Sequence, residues 1–134
     1  MLKKIFGRNE KTKQRILLVE DDKMLLKVLS KQLKKAGFEV IEIKNGLRVV
    51  GAAKKFLPQL ILLDLILPGL DGFAVLKQLK ADPVLKKIPV IVLSNLEEPA
   101  DVKSARILGS TKYILKATAN IKDIINEVKR ILKN

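Results

Sequence analysis

From Arg15 onward the chain alternates short, unbroken apolar runs with longer stretches in which apolar residues recur every three or four positions. Ile16-Leu17-Leu18-Val19 has no polar break, which predicts a strand covered on both faces. Asp22 is placed to cap a helix over 23–36, whose apolar stripe reads Leu25, Val28, Leu29, Leu33 and Ala36 and which Gly37 stops. A second strand runs from Phe38 to Ile43, and Asn45-Gly46 opens a short helix ending near Phe56-Leu57, before Pro58. Leu60 to Leu63 is a third strand with Asp64 at its end. The loop Pro68-Gly69-Leu70-Asp71-Gly72 leads into a helix capped by Asp71 and ended by Asp82-Pro83. Pro89 to Leu93 is a fourth strand. Pro99 suits the first turn of a helix to Leu108, closed by Gly109. Lys112 to Leu115 is a fifth strand, and the last helix runs from about Ala119 to Leu132, with Ile121, Ile124, Ile125, Val128, Ile131 and Leu132 on one face.

Five strand–helix units in series argue for an α/β fold, a doubly wound parallel sheet with helices on both faces. In such sheets the site lies beyond the carboxyl ends of the strands, where the strand order reverses. That rule selects residues before any chemistry is considered. The ends of strands one, three, four and five carry Glu20-Asp21-Asp22, Asp64, Ser94-Asn95 and Lys116. Three carboxylates in one cleft repel one another when ionised. A hard, oxygen-seeking divalent cation such as Mg²⁺ relieves that repulsion and leaves sites open for phosphate oxygens. A carboxylate beside the ion can act as nucleophile and form an aspartyl phosphate. Of the three equatorial phosphoryl oxygens, the metal can hold one, Lys116 another and the Ser94 hydroxyl the third.

Composition narrows the chemistry further. The 134 residues contain no Cys and no His, so thiolate chemistry, imidazole bases and imidazole metal sites are excluded. Without Trp and with 4% aromatic residues, a base-stacking nucleic-acid platform is disfavoured. No apolar stretch is long enough to span a bilayer: Leu60 to Leu70 is interrupted by Asp64 and Pro68. The N-terminus has no signal-peptide core, so a cytoplasmic location and no membrane partner are expected. Residues 1–14 are polar and basic and are expected to form a tail before a domain at 15–134, with Leu2, Ile5 and Phe6 as weak docking points. The net charge is +13, and only five of the 27 basic residues lie in that tail. An anionic partner is favoured by this balance without being specified.

The residues at the strand ends resemble the receiver domain of bacterial two-component response regulators. The matching segments are Ile16 to Asp22, Leu62 to Gly72, Pro89 to Ser94, and Tyr113 to Lys116, in that order and at the family's spacings. The likeness covers roughly residues 15–133. It implies a flavodoxin-like fold with strand order 2-1-3-4-5. It also implies that Asp64 is the phosphoacceptor and that Glu20, Asp21, Asp64 and the Ile66 backbone carbonyl hold Mg²⁺, with Mn²⁺ as a substitute. Ser94 and Lys116 would bind the phosphoryl group, and Tyr113 would be the switch aromatic. The phosphodonor would be a histidine kinase or histidine phosphotransfer protein. The domain would be no classical enzyme, since it acts only on its own phosphorylation state. The 18 residues after Lys116 have room for a closing helix alone, so a stand-alone regulator is expected. It would bind an unidentified downstream protein through the fourth helix, fifth strand and fifth helix, with Tyr113, Lys103, Arg106 and Lys122 as readout residues.

Three features depart from the family pattern. Ala117 follows Lys116 where Pro is usual, and a trans peptide is expected there because a cis non-Pro bond costs about 2.5–4 kcal/mol. Asn95 stands where a smaller residue is common. Receivers are usually acidic, whereas Lys23, Lys27 and Lys31 recur here every four residues, with Lys34 and Lys35 continuing the stripe. Such a stripe is a solvated face or a selector for an acidic kinase surface, with nucleic acid a weaker candidate. Two rivals remain in view. A haloacid-dehalogenase-type phosphatase needs a second Asp two residues after the nucleophile, where this chain has Ile66. A degenerate receiver would keep the fold and bind protein or nucleic acid without phosphorylation.

Overall fold

The computed structural model describes residues 12–133. The expected docking points Leu2, Ile5 and Phe6, and most of the 1–14 tail, lie outside them; of its last residues, Gln14 accepts through its carbonyl from the Glu39 N–H at 2.9 Å. Five strands, β1 (Arg15–Val19), β2 (Glu39–Ile43), β3 (Leu60–Leu63), β4 (Val90–Ser94) and β5 (Lys112–Leu115), form one parallel sheet in the order β2-β1-β3-β4-β5. They alternate with α1 (Lys23–Lys35), α2 (Val49–Phe56), α3 (Gly72–Ala81), α4 (Pro99–Ile107) and α5 (Ile121–Leu132). The predicted fold class is therefore the observed one.

Strand periodicity divides the core into two layers. Leu17, Val19, Ile61, Leu63, Val90 and Val92 pack against Val49 and Ala53 of α2, Val75, Leu76 and Leu79 of α3, and Ala105 of α4. Their neighbours Ile16, Leu18, Leu60, Leu62, Ile91 and Leu93 face α1 and α5, meeting Leu26, Leu29, Leu33, Ile124, Ile125 and Val128. Both faces of β1, β3 and β4 are thus covered, which is why these strands carry no polar residue before their ends.

Several elements differ in detail from the pattern reading. In α1 the buried apolar set is Leu26, Leu29 and Leu33, whereas Val28 turns outward and Leu25 is half-buried. The helix opened by Asn45 is two pieces, a 3-10 turn at Gly46–Arg48 followed by α2. The last helix starts at Ile121, two residues later than expected, with Asn120 as its cap. A second 3-10 turn at Leu85–Lys87 has no apolar period to announce it; Asp82 leads into it, its carboxylate accepting from the Val84 and Leu85 N–H groups at 2.9 and 3.0 Å. Asp82 itself is extended, as the Pro83 ring requires of the residue before it, and this ends α3.

Register converts this packing into a site. Val19 pairs with Leu63 across the β1–β3 rung, so Glu20 and Asp64 leave the sheet side by side. Leu63 pairs with Val92, and Ser94 with Leu115, which carries β4 and β5 to the same rim. The strand order reverses between β1 and β3, the position at which doubly wound sheets build their sites.

Candidate functional site

The carboxylates of Glu20, Asp21 and Asp64 each present one oxygen within 4.8 Å of the others. They line a cleft of about 220 Å³ together with Asp22, Ile66, Asn95 and Lys116. Glu20 and Asp64 are buried, at 1% and 4% exposure, while Asp21 is open to solvent. Asp22 does what its position predicted: its carboxylate accepts from the Met24 and Leu25 N–H groups at 3.0 and 3.2 Å and caps α1.

Lys116 ties the two buried acids together. Its ammonium lies 2.7 Å from Glu20 Oε1 and donates to Asp64 Oδ2 at 2.9 Å. The Ile66 N–H donates to Asp64 Oδ1 at 3.2 Å, and the Asp22 N–H to Glu20 Oε2 at 3.1 Å. Burial pushes the Glu20 carboxyl above the usual carboxylate range, although Lys116 and the Asp22 N–H pull against it. Burial works against the Lys116 charge as well, but the two carboxylates outweigh it and hold its pKa above the ordinary lysine value. The described peptide bonds are all trans, so Ala117 follows Lys116 without a cis bond and the ammonium still reaches the cluster.

The remaining predicted residues form a second group beside the cleft. Ser94 is fully buried, and its Oγ accepts from the Leu96 N–H at 3.1 Å. Tyr113 is half-buried and donates its hydroxyl to the Leu96 carbonyl at 2.8 Å. One residue, Leu96, is therefore bonded to both. Sequence reasoning had no signal for Leu96, because its contribution is made by backbone atoms. Burial, with help from the Asp101 and Asp64 charges and against the pull of the Ser94 hydroxyl, raises the Tyr113 phenol above its usual value.

Two glycines hold the loop that follows Asp64. A Cβ on Gly72 would overlap the Asp64 carbonyl oxygen, and the Gly72 N–H donates to the Leu65 carbonyl at 2.8 Å. Gly46 donates its N–H to the Pro68 carbonyl at 3.0 Å, and a Cβ there would overlap the Leu70 carbonyl oxygen. Asn45-Gly46 looks in the sequence like a helix start only; its contact with the β3–α3 loop is a tertiary fact.

The donor set fits a hard divalent cation. Glu20 Oε1 is buried, and among the described residues its polar partner is the Lys116 ammonium at 2.7 Å. An all-oxygen group of three carboxylates with one such acceptor is the chemistry that Mg²⁺ and Mn²⁺ select.

Comparison with known proteins agrees with this geometry. The family model of the response regulator receiver domain matches residues 16–129. The chain belongs to that family. Receivers are signalling domains of two-component systems rather than classical enzymes, and they bind Mg²⁺ or Mn²⁺ at an acidic site. The DNA-binding response regulator MtrA of Mycolicibacterium paratuberculosis is 36% identical over 104 residues, which cover 78% of this chain and 45% of MtrA. The chain thus spans about half the length of the curated relatives it matches first. The polar-differentiation response regulator DivK of Brucella anthropi is 35% identical over 101 residues, 75% of this chain and 82% of DivK. Among solved structures, the Mn²⁺-bound response regulator Rcp1 is 35% identical with a TM-score of 0.73, covering 88% of this chain and 91% of that one. No described helix of this receiver is long and apolar enough to cross a membrane.

Proposed function

We propose that residues 15–134 work as a phosphorylatable receiver with Asp64 as its phosphoacceptor. The observation that carries this reading is the junction of Glu20, Asp21 and Asp64 within 4.8 Å, with Lys116 bridging the two buried acids. A carboxylate oxygen of Asp64 attacks the phosphorus of a phosphohistidine on a histidine kinase or phosphotransfer protein. The O–P bond forms as the N–P bond breaks, and the departing imidazole keeps that electron pair and takes up a proton. Glu20, Asp21, Asp64 and the Ile66 carbonyl would hold Mg²⁺ or Mn²⁺, which supplies charge neutralisation for the phosphoryl oxygens. Lys116 then exchanges its contact with Asp64 Oδ2 for a phosphoryl oxygen.

Ser94 supplies the link to the surface. Turning its Oγ to the phosphoryl group releases the Leu96 N–H, and Leu96 is also the residue that Tyr113 holds. The two arrangements expose different faces of α4, β5 and α5, where Tyr113, Lys103, Arg106 and Lys122 would report the change to a downstream protein. A cytoplasmic site of action fits this chemistry.

The deciding experiment is intact-mass measurement after incubation with Mg²⁺ and a small acyl phosphate. Wild type gains one phosphoryl group, whereas Asp64→Asn gains none and chelation of Mg²⁺ abolishes the adduct. An adduct on both proteins, or on neither, overturns the reading.

A further inference from the structure

A hollow of about 550 Å³ opens between α1 and β2, the edge strand of the sheet. Lys27, Ser30, Lys31, Lys34 and Lys35 of α1 line it with Glu42 of β2, and none of these residues lines the acidic cleft. Lys27, Ser30, Lys31 and Lys34 fall on one stripe of α1. Lys27 and Lys34 are seven residues apart, so the stripe runs for about two turns, or ~10 Å. Glu42 pairs with Leu18, whose side chain belongs to the layer under α1 and α5, so Glu42 stands on the same face of the sheet as α1. The ion pairs among the described residues use neither Glu42 nor any of the four lysines. Ser30 distinguishes this hollow from a solvated lysine face. It sits in the buried row of α1 with Leu26, Leu29 and Leu33, is 3% exposed, and its Oγ has no hydrogen-bond partner among the described residues. A buried hydroxyl without a partner is costly, and Ala would fill the same helix position without that cost.

We propose that this hollow binds a small anion made of several linked phosphates, free or carried on a nucleoside, with Lys27, Lys31 and Lys34 on its oxygens and the Ser30 hydroxyl donating to one of them. Charge selects an anion, because four ammonium groups face one carboxylate. Length selects linked phosphates, because one phosphate group engages only part of a stripe of ~10 Å. Lysine suits this ligand, as its ammonium is a compact charge with three donors that turn to meet phosphate oxygens. The four lysines are exposed, so their side chains are free to fold over a ligand and uncover the recessed hydroxyl. Ser30 then gains the acceptor that the described residues do not give it. Duplex DNA and a bilayer surface meet the lysine tips alone and leave that hydroxyl unpaired. Glu42 opposes the ligand's charge and limits its affinity. The site uses no residue of the acidic cleft and does not depend on phosphorylation at Asp64.

The test uses the full chain and inorganic tripolyphosphate in metal-free buffer at about 0.15 M NaCl. Calorimetry measures affinity, and amide chemical shifts map the contact. Tripolyphosphate is expected to bind and to shift amides of α1 and β2. Adenosine triphosphate is titrated in parallel: tighter binding assigns the site to a nucleoside-borne chain, and equal binding to the phosphate chain alone. The Lys27→Gln, Lys31→Gln, Lys34→Gln variant is expected to bind at least about tenfold more weakly, the loss of a few charge-assisted contacts. The Lys77→Gln, Lys86→Gln, Lys87→Gln variant has the same net charge but is altered on the opposite side of the sheet, and it keeps affinity within about threefold. Glu42→Gln binds more tightly than wild type. Ser30→Ala loses about threefold or more in affinity yet melts no lower than wild type, since it deletes a hydroxyl that the folded chain leaves unpaired. Asp64→Asn binds as wild type, which separates this result from any failure of phosphorylation. Absence of tripolyphosphate binding, equal losses in the two lysine variants, or wild-type affinity in Ser30→Ala overturns the proposal. So does lysine-sensitive binding of duplex DNA or phosphatidylglycerol vesicles in place of tripolyphosphate.

Discussion

Lys116 is the residue on which the cleft turns, because its ammonium bridges the two buried acids Glu20 and Asp64. Replacing it with Met leaves those acids unpaired, and removing one partner of a buried ion pair costs about 3 kcal/mol. We expect Lys116→Met to melt well below wild type in EDTA. Because the ammonium also competes for Glu20 Oε1, saturating Mg²⁺ should raise the melting temperature more in the variant than in wild type. Equal increments would show that Lys116 and the metal do not share that oxygen. Tyr113 allows a second measurement without a probe, since it is the single Tyr of a chain that lacks Trp. Its folded pKa is raised by burial, so its stabilising contribution is complete below the unfolded value of about 10. That contribution is lost as pH rises through the folded value. A tyrosinate absorbance titration should have its midpoint above that of the denatured chain; coincident midpoints would place the phenol in water. These residues were legible as a set because polar side chains ending apolar strands are rare and conspicuous. Leu96 was not legible, since no property of a leucine side chain announces that its peptide group bridges Ser94 and Tyr113.

Elements were legible in proportion to how few phases their sequence allows. β1, β3 and β4 are apolar throughout except for Arg15 at the start of β1 and Ser94 at the end of β4, and any register buries their apolar runs. In α1, by contrast, Met24, Leu25, Leu26, Val28, Leu29 and Leu33 are all apolar, so a stripe through Leu25 and Val28 and one through Leu26 and Ser30 both keep helical spacing. Packing on the sheet selects the second and leaves Val28 at the surface, beside Ile121 and Ile125 of α5. Polar caps were clearer, and Asp22→Ala should cost α1 about 1 kcal/mol, read as a lowered denaturant midpoint at unchanged slope. The glycines of the next segment give opposite outcomes. Gly51 lies inside α2 and a Cβ there meets nothing within 4 Å, so Gly51→Ala should stabilise by about 0.5–1 kcal/mol. Gly46→Ala must displace the Leu70 carbonyl, and with it the loop that carries Ile66. It should lower both the melting temperature and the Mg²⁺ affinity, while Gly51→Ala leaves Mg²⁺ affinity unchanged. If the two variants bind Mg²⁺ alike, the Asn45-Gly46 contact does not position the site.

Across the whole molecule the charge is one-sided, at +13. The described ion pairs engage Arg15, Lys54, Lys116 and Arg130, whereas the chain holds 27 basic residues against 14 acids. A folded chain of this length has a radius of gyration of about 14 Å. The screening length is about 30 Å at 0.01 M salt and about 8 Å at 0.15 M. At the lower salt every cation therefore repels every other across the fold, while at the higher salt only near neighbours interact. Unfolding spreads these charges apart, so self-repulsion weakens the folded state more than the unfolded one. Screening acts in the other direction on surface pairs such as Arg15–Glu39, but each such pair is worth little and they are few. The buried cluster around Lys116 is shielded from salt and stays neutral in the comparison. Raising NaCl from about 0.01 to 0.15 M in EDTA should therefore raise the melting temperature and then level off. A variant in which Lys35, Lys122 and Lys129 are replaced by Glu should show a smaller rise because it begins with less repulsion. A melting temperature that falls with salt would mean that attractive pairs dominate this surface, and the lysine-rich face of α1 would then be an internally compensated surface with no excess charge to offer a partner.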